Sequence, residues 1–479
     1  MSADGIRGRV AIEYVIAMTG AFRLQKWLAA AALLLVATVT AAGADEPFVR
    51  VRAHQKISAT AGGFPGELHE RSSFGWGLAG LGVRDGATKI AIGAHFDRDG
   101  ADRAGSLWIV TLEADGKVRA ATKLSALTGG LGARLGRGDV FGLSIAALGD
   151  LDGDGEAEIA VGAPGDDDAD VDTGAVYILS LASSGHVRWQ TKISPRKPWA
   201  RSAPWTWVIP DAVQGRFFGA VRAGDNFGAS VAGIGDLDGD SVPDLAVGVR
   251  GDNLDERSRG AVWVLFLRPD GSVERSHRIG SKEGGFDGLL QPNDVFGLAL
   301  ASLGDVDGDG IQDLAVGAPG DDDGCNACGA VWVLFLDRDG RVRKSQKISQ
   351  RAGGFAGRLN NRSEFGISLA ALPDLDGNGV MELVVGARGD SEAGINAGAI
   401  WILSLDRNAN VLAHQKITSG VGGLPEVLEV GDIFGVGLTS LGDLDGDGWP
   451  ELGAGAEGDD DGADRAGAAW VLFLGPAKP

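Results

Sequence analysis

The sequence predicts an all-β propeller of six four-stranded blades, rather than seven. Three observations carry that reading. The dipeptide Phe-Gly recurs at 74, 141, 227, 296, 365 and 434, with spacings of 67, 86, 69, 69 and 69 residues. Self-similarity at a fixed long period marks a repeat architecture. Each unit also holds four apolar runs of 5–8 residues, rich in Val, Ile, Trp and Phe and bounded by turn residues. No long 3.6-residue period competes with this strand pattern, and four strands per radial repeat make a propeller. Finally, the last repeat stops after its third run, at Leu474. Val49 to Ser58 matches the fourth run of other repeats, such as Val411 to Ile417. The N-terminal strand is therefore expected to complete the last blade, which leaves no unpaired sheet edge.

Taken in chain order, the first element is an address. Arg23 and Lys26 precede an apolar run of fourteen residues, Trp27 to Thr40, which ends at Ala42-Gly43-Ala44. Positive, apolar and then small residues read as a secretory signal peptide cut after Ala44. The run is short of the roughly 20 residues that span a bilayer. Residues 1–44 are thus expected to be removed, leaving residues 45–479 as a propeller outside the cytoplasm. Four basic and two acidic side chains leave with them, so the net charge moves from −21 to −23. That charge disfavours nucleic acid and anionic lipid as partners and favours cations. Two cysteines exclude a disulfide scaffold. Apolar residues at 44% exclude a disordered chain.

Within a unit the order is constant. Phe-Gly and a short apolar stretch come first, then a Gly/Asp loop, a Val-Gly-Ala stretch and an acidic loop. A third run such as Val331 to Leu336, a turn at Asp339-Gly340 and a segment such as Gln346-Lys347-Ile348-Ser349 complete it. Trp108, Tyr177, Trp263, Trp332, Trp401 and Trp470 share one position of the third run. They are expected to pack between blades. Repeats two and three are separated by about 17 extra residues within 195–222, too few for a blade. This insertion brings Trp199, Trp205, Trp207, Phe217 and Phe218 beside Arg196, Lys197 and Arg201. Exposed aromatic residues next to charge mark a partner-binding candidate, with Trp199, Trp205 and Trp207 as anchors.

The Gly/Asp loops carry the chemistry. Five of them read Asp-x-Asp-Gly-Asp/Asn-x-x-x-Asp/Glu. They supply Asp150, Asp152, Asp154 and Glu158; Asp236, Asp238, Asp240 and Asp244; Asp305, Asp307, Asp309 and Asp313. The last two give Asp374, Asp376, Asn378 and Glu382, then Asp443, Asp445, Asp447 and Glu451. The residue at position seven (Glu156, Val242, Ile311, Val380 and Trp449) belongs to each candidate site. Hard oxygen donors at this density suit Ca²⁺, so about five ions are expected. Mg²⁺ demands stricter geometry, and softer metals would want Cys or His. An EF-hand needs Glu at position twelve, where these loops have Val or Ala. The first repeat departs: Gly82-Val83-Arg84-Asp85-Gly86 is shorter and keeps one carboxylate, so no ion is expected there.

Phe141-Gly142 with Gly162-Ala163-Pro164, and Phe296-Gly297 with Gly317-Ala318-Pro319, resemble the FG-GAP repeat. That repeat builds the N-terminal propeller of integrin alpha subunits, and the Asp loops resemble its calcium motif. The resemblance covers essentially all of residues 45–479. It implies a β-propeller, bound calcium and a role in binding or adhesion, although the family also includes propellers attached to enzymes. Integrin propellers have seven blades, and here no thigh or transmembrane region follows. The chain therefore looks like a free-standing secreted bacterial relative.

Arg-Gly-Asp occurs at 137–139, 250–252 and 388–390. Gly251-Asp252 aligns with Gly165-Asp166 and Gly320-Asp321, so Gly-Asp belongs to the repeat and Arg varies. Cys325 and Cys328 are expected to form a local disulfide in an oxidising compartment. The sequence shows no nucleophile elbow or His-rich cluster. Three functions stay open: a monomeric binding module for an extracellular protein, glycan or matrix; a polysaccharide lyase or hydrolase acting at the channel mouth; and a structural surface-coat element. Convergent His, Arg, Tyr or Lys at one mouth would speak for an enzyme.

Overall fold

Short β-branched and aromatic runs between Gly-rich turns form strands, and strands of this length bury their apolar sides only by pairing and stacking. The computed structural model describes residues 48–84, 86–195, 213–217, 220–252 and 258–477. Its strands form six antiparallel sheets. Blade 1 consists of Phe74–Arg84, Ala87–Ala94, Ser106–Leu112 and Val118–Leu124, paired in that order. Blades 3, 4 and 5 repeat the order over residues 227–279, 300–348 and 365–417. The innermost strand of each blade lies against that of the next, and the inner strand of blade 6, Phe434–Gly442, lies against Phe74–Arg84. The ring is closed with six blades.

Closure uses the N-terminal strand, as expected. Val49–Ile57 pairs antiparallel with Ala468–Pro476, from Val49 opposite Pro476 to Ile57 opposite Ala469. Blade 2 departs from four strands. Its outer strand, Val187–Pro195, gains a fifth, parallel neighbour, Val213–Phe217, drawn from the insertion.

Phe-Gly and Gly-Ala-Pro are two halves of one joint between blades. The Phe365 N–H donates to the Cys328 carbonyl of the preceding blade at 2.9 Å, and Phe434 does the same to Ala397 at 2.9 Å. All six Phe rings of the dipeptide are fully buried. Gly366 has φ +92°, and a Cβ there would lie 2.5 Å from the Ala330 carbonyl oxygen. Gly317 of the preceding blade sits so close that a Cβ would lie 2.0 Å from the Gly366 carbonyl oxygen. Backbones can approach this closely only without side chains.

The third-strand aromatics pack between blades, as the repeat predicted. Phe355, in the loop between blades 4 and 5, stacks on Phe365 at 5.0 Å and meets the edge of Trp401 at 5.1 Å. Phe286 does the same with Phe296 and Trp332. Phe217 of the insertion takes this role in blade 3, 4.9 Å from Phe227 and 5.0 Å from Trp263. The expectation that Phe217 is exposed is therefore corrected: it is a fully buried wedge. Trp199, Trp205, Trp207 and Phe218 lie outside the described residues.

Candidate metal centres

Each carboxylate loop leaves the end of an inner strand and enters the second strand of the same blade. In blade 4, Asp305 at position one accepts the N–H groups of Gly308, Asp309 and Gly310 at 2.7, 2.9 and 2.8 Å. Its side chain thereby wraps the backbone around itself, a turn that Asp chemistry favours. Blades 2, 3, 5 and 6 repeat the wrap around Asp150, Asp236, Asp374 and Asp443. Position nine lies at the start of the second strand and is almost wholly buried in all five blades. There Asp313 accepts Val306 N–H at 3.0 Å and Leu336 N–H at 3.2 Å.

Positions one, three and nine converge. Asp150, Asp152 and Glu158 offer oxygens within 4.8 Å of one another, as do Asp236, Asp238 and Asp244. The same holds for Asp305, Asp307 and Asp313, for Asp374, Asp376 and Glu382, and for Asp443, Asp445 and Glu451. Burial first, and then the neighbouring carboxylates, push Asp244 and Asp313 up to about 7, Glu382 to about 8 and Glu451 to about 7. Glu158 is raised for the same reasons. The buried Oε1 atoms of Glu158, Glu382 and Glu451 have no hydrogen-bond partner. A buried acceptor without a donor is costly, and a cation would satisfy it. The donor set, all oxygen and anionic, fits Ca²⁺.

Position five is not part of these clusters. Asp154 pairs with Arg188 at 2.5 Å. Arg343 reaches both Asp307, at 3.1 Å, and Asp309. Arg52 pairs with Asp447, and Arg275 meets Asp238 at 2.8 Å, beside Asp240. All four arginines come from the outer strand of the blade concerned. Blade 5 has neutral Asn378 at position five and Leu412 in place of the arginine. Asn378 Nδ2 donates instead to the Ser404 hydroxyl and the Leu405 carbonyl. Four carboxylates with one arginine, or three with none, give the four key positions the same net charge. Sequence reading missed these arginines. Their signal was the Val-Arg of the outer strand in blades 2, 4 and 6 (Val187-Arg188, Val342-Arg343 and Val51-Arg52), which becomes Val273-Glu274-Arg275 in blade 3 and Val411-Leu412 in the repeat with Asn. At position seven, Val242, Ile311, Val380 and Trp449 turn their side chains toward the core, so they offer only main chain; Glu156 is half-buried.

The repeated joint and the repeated loop agree with the comparisons. The family described as FG-GAP repeat matches residues 141–179, 227–265, 296–334 and 365–403. The chain carries FG-GAP repeats. Each matched FG-GAP segment contains one carboxylate loop. Among curated proteins, integrin alpha-7 of Homo sapiens is 34% identical over 174 residues, which is 36% of this chain and 13% of the integrin. Integrin alpha-4 of Xenopus laevis is 33% identical over 174 residues, 35% of this chain and 15% of the relative. Integrin alpha-PS2 of Drosophila melanogaster is 33% identical over 171 residues, 35% of this chain and 12% of the relative. The matched part thus spans less than a sixth of these relatives. A solved structure of BBS1N in complex with ARL6DN aligns over 82% of this chain and 90% of its own, at TM-score 0.35 and 10% identity. That match is too loose to argue from.

Other motifs of the FG-GAP units are structural. In blade 1 the first two strands pair up to Arg84 opposite Ala87, so a tight turn replaces the loop. In the acidic loops that follow the second strands, one lysine of the outer strand bridges two carboxylates. Lys192 meets Asp166 and Asp168 at 2.5 Å each, and Lys347 meets Asp321 at 2.8 Å and Asp323 at 3.4 Å. Lys56 meets Asp459 at 2.5 Å and Asp461 at 2.8 Å. The same lysines lie over third-strand rings, such as Lys347 over Trp332 at 5.7 Å. Asp139, Asp252 and Asp390 of the Arg-Gly-Asp triplets are all buried. Cys325 and Cys328 are joined as a disulfide.

Proposed function

We propose that this chain is a calcium-stabilised propeller, secreted through residues 1–44, that acts as a binding module through residues 45–479. The observation that carries the calcium reading is the buried carboxylate at position nine beneath two converging Asp residues in all five loops, with one oxygen left without a partner in blades 2, 5 and 6. Ca²⁺ would be held by positions one, three and nine, with main chain from position seven. The likeness to integrin alpha subunits supports an extracellular binding or adhesion role. No helix among the described residues is long and apolar enough to cross a membrane. Extracellular calcium modules bind at roughly 10⁻⁴ M. At tenfold excess each site then contributes about 1.4 kcal/mol. The test is calorimetric titration with Ca²⁺ alongside melting in EGTA. About five ions and a melting temperature that falls in EGTA are expected. No uptake, or melting indifferent to EGTA, would refute the calcium reading.

A further inference from the structure

Strands run from one mouth of the channel to the other, so the ends opposite the carboxylate loops also meet around the axis. There the start of the inner strands, the end of the second strands and the residues before the third strands enclose a cavity of 820 Å³. Pockets of about 300–1,000 Å³ hold small ligands or chain segments rather than folded surfaces. Among the described residues, five arginines line it (Arg71, Arg103, Arg137, Arg250 and Arg465) against two carboxylates, Asp172 and Glu457. On a chain of net charge −21 that local excess of positive charge is unexpected. Arg71 pairs with Asp464 at 3.2 Å and Arg137 with Asp102 at 3.5 Å. Among the described residues, Arg103, Arg250 and Arg465 have no carboxylate within salt-bridge distance. Arg250 donates to the Asn226 side-chain oxygen, at 3.1 Å.

A second, independent feature points into the same cavity. His95 is 2% exposed and its Nδ1 has no hydrogen-bond partner. It packs against Trp76 at 5.3 Å and Phe96 at 4.0 Å, and both rings line the cavity with it. Burial, with the charge of Arg250 added, holds His95 at about 3, so it is neutral at physiological pH. A base that weak abstracts protons poorly, and no Tyr or Lys among the described residues lines the cavity. The geometry therefore favours recognition over cleavage, although Arg and His do converge there.

We propose that this arginine-lined mouth binds an acidic glycan through a uronate carboxylate. A guanidinium fork matches a carboxylate in two parallel hydrogen bonds. Trp76 and Phe96, half-buried with Arg388 over the one at 5.6 Å and Arg103 over the other at 5.8 Å, add apolar surface beside the guanidinium groups for a sugar ring. Asp172 and Glu457 can accept hydrogen bonds from sugar hydroxyls, which an acidic peptide lacks. The proposal rests on reading the chain as a binding module, but it is separate from the calcium reading, since the two sites lie at opposite ends of the channel.

The test is calorimetry with a hyaluronan tetrasaccharide, its carboxyl-reduced neutral form and hexaglutamate, each with Ca²⁺ and with EGTA. Only the acidic tetrasaccharide should bind well. The double substitution Arg250→Gln with Arg465→Gln should weaken it at least tenfold, while the Ca²⁺ titration and melting temperature stay as in the parent. The proposal is overturned if the parent binds no tetrasaccharide, binds the neutral form equally or prefers hexaglutamate. It is equally overturned if the double variant, folded by its melting temperature, binds as the parent does. Failure of the calcium reading would show separately, as no Ca²⁺ uptake with tetrasaccharide binding intact.

Discussion

At the scale of single residues, two positions decide most. Gly366 sits at φ +92° with its Cα facing the Ala330 carbonyl of the preceding blade. A Cβ there meets both a backbone clash and a disfavoured conformation. Gly366→Ala should therefore cost on the order of 3 kcal/mol, read as a lower midpoint in urea. A change below the error of the midpoint would count against the joint. Position nine carries the pH dependence. Without cation, the folded-state values of Asp244, Asp313, Glu382 and Glu451 lie at about 7 to 8, above their unfolded values. Folding then favours the protonated acids. Their contribution is full below the ordinary carboxylate range and is lost as pH rises through about 7 to 8. In EGTA the melting temperature should fall between pH 5 and 8, and saturating Ca²⁺ should flatten that fall. Asp139, Asp294 and Asp432, raised to about 6 mainly by burial, add a slope of the same sign that calcium leaves in place. Equal slopes with and without calcium would dissociate position nine from the ion.

At the scale of the element, the outer strand tunes the loop of its own blade. Arg52, Arg188 and Arg343 pair with position five, Arg52 and Arg343 reach position three as well, and all place a positive charge beside the cation site. Arg52→Leu should therefore tighten cation binding in blade 6 by at least about threefold, the size of one nearby charge removed in a water-like dielectric. Trp449 lies at position seven of that loop, so terbium luminescence sensitised by its indole reads the site. Unchanged or weaker terbium binding would mean that the arginine is only a structural clamp. Most of this element was readable in the chain: the loop, its five copies and the odd first repeat. The arginine's role was not, because its partner lies in a loop tens or hundreds of residues away and the Val-Arg of the outer strand does not say which carboxylate it meets.

The whole molecule depends on one strand for closure. Val49–Ile57 covers the edge of the last blade, and it also brings Arg52 to Asp447 and Lys56 to Asp459 and Asp461. Deleting residues 48–58 removes all of these together and leaves Ala468–Pro476 as an open edge. Open edges invite pairing with other chains, so the variant should aggregate or oligomerise in light scattering. A monomeric variant with parental melting would show that the ring does not need this strand. The fifth strand of blade 2 works the other way. It adds to an outer edge and delivers Phe217 to a wedge position that other blades fill from ordinary inter-blade loops.

By itself the sequence determined the repeat, the number of blades, the N-terminal closure and the five carboxylate loops. These are local or periodic: strand runs, Gly at forced turns and Asp spacing repeat in register, and each copy reinforces the others. Only the tertiary structure decided what each charged group faces. The acidic loops after the second strands read along the chain as runs of bare charge, yet in three of them one lysine from the outer strand bridges two of the carboxylates. Phe217 looked exposed, yet it is buried between blades. Arg103 and Arg465 sit in the same Gly-Ala-Asp-Arg-Ala-Gly stretch, and Arg137 and Arg250 in Arg-Gly-Asp, but only the closed ring brings these four and Arg71 together at one mouth of the channel. Burial and charge pairing depend on neighbours tens or hundreds of residues away, and closing the ring is what brings those neighbours together.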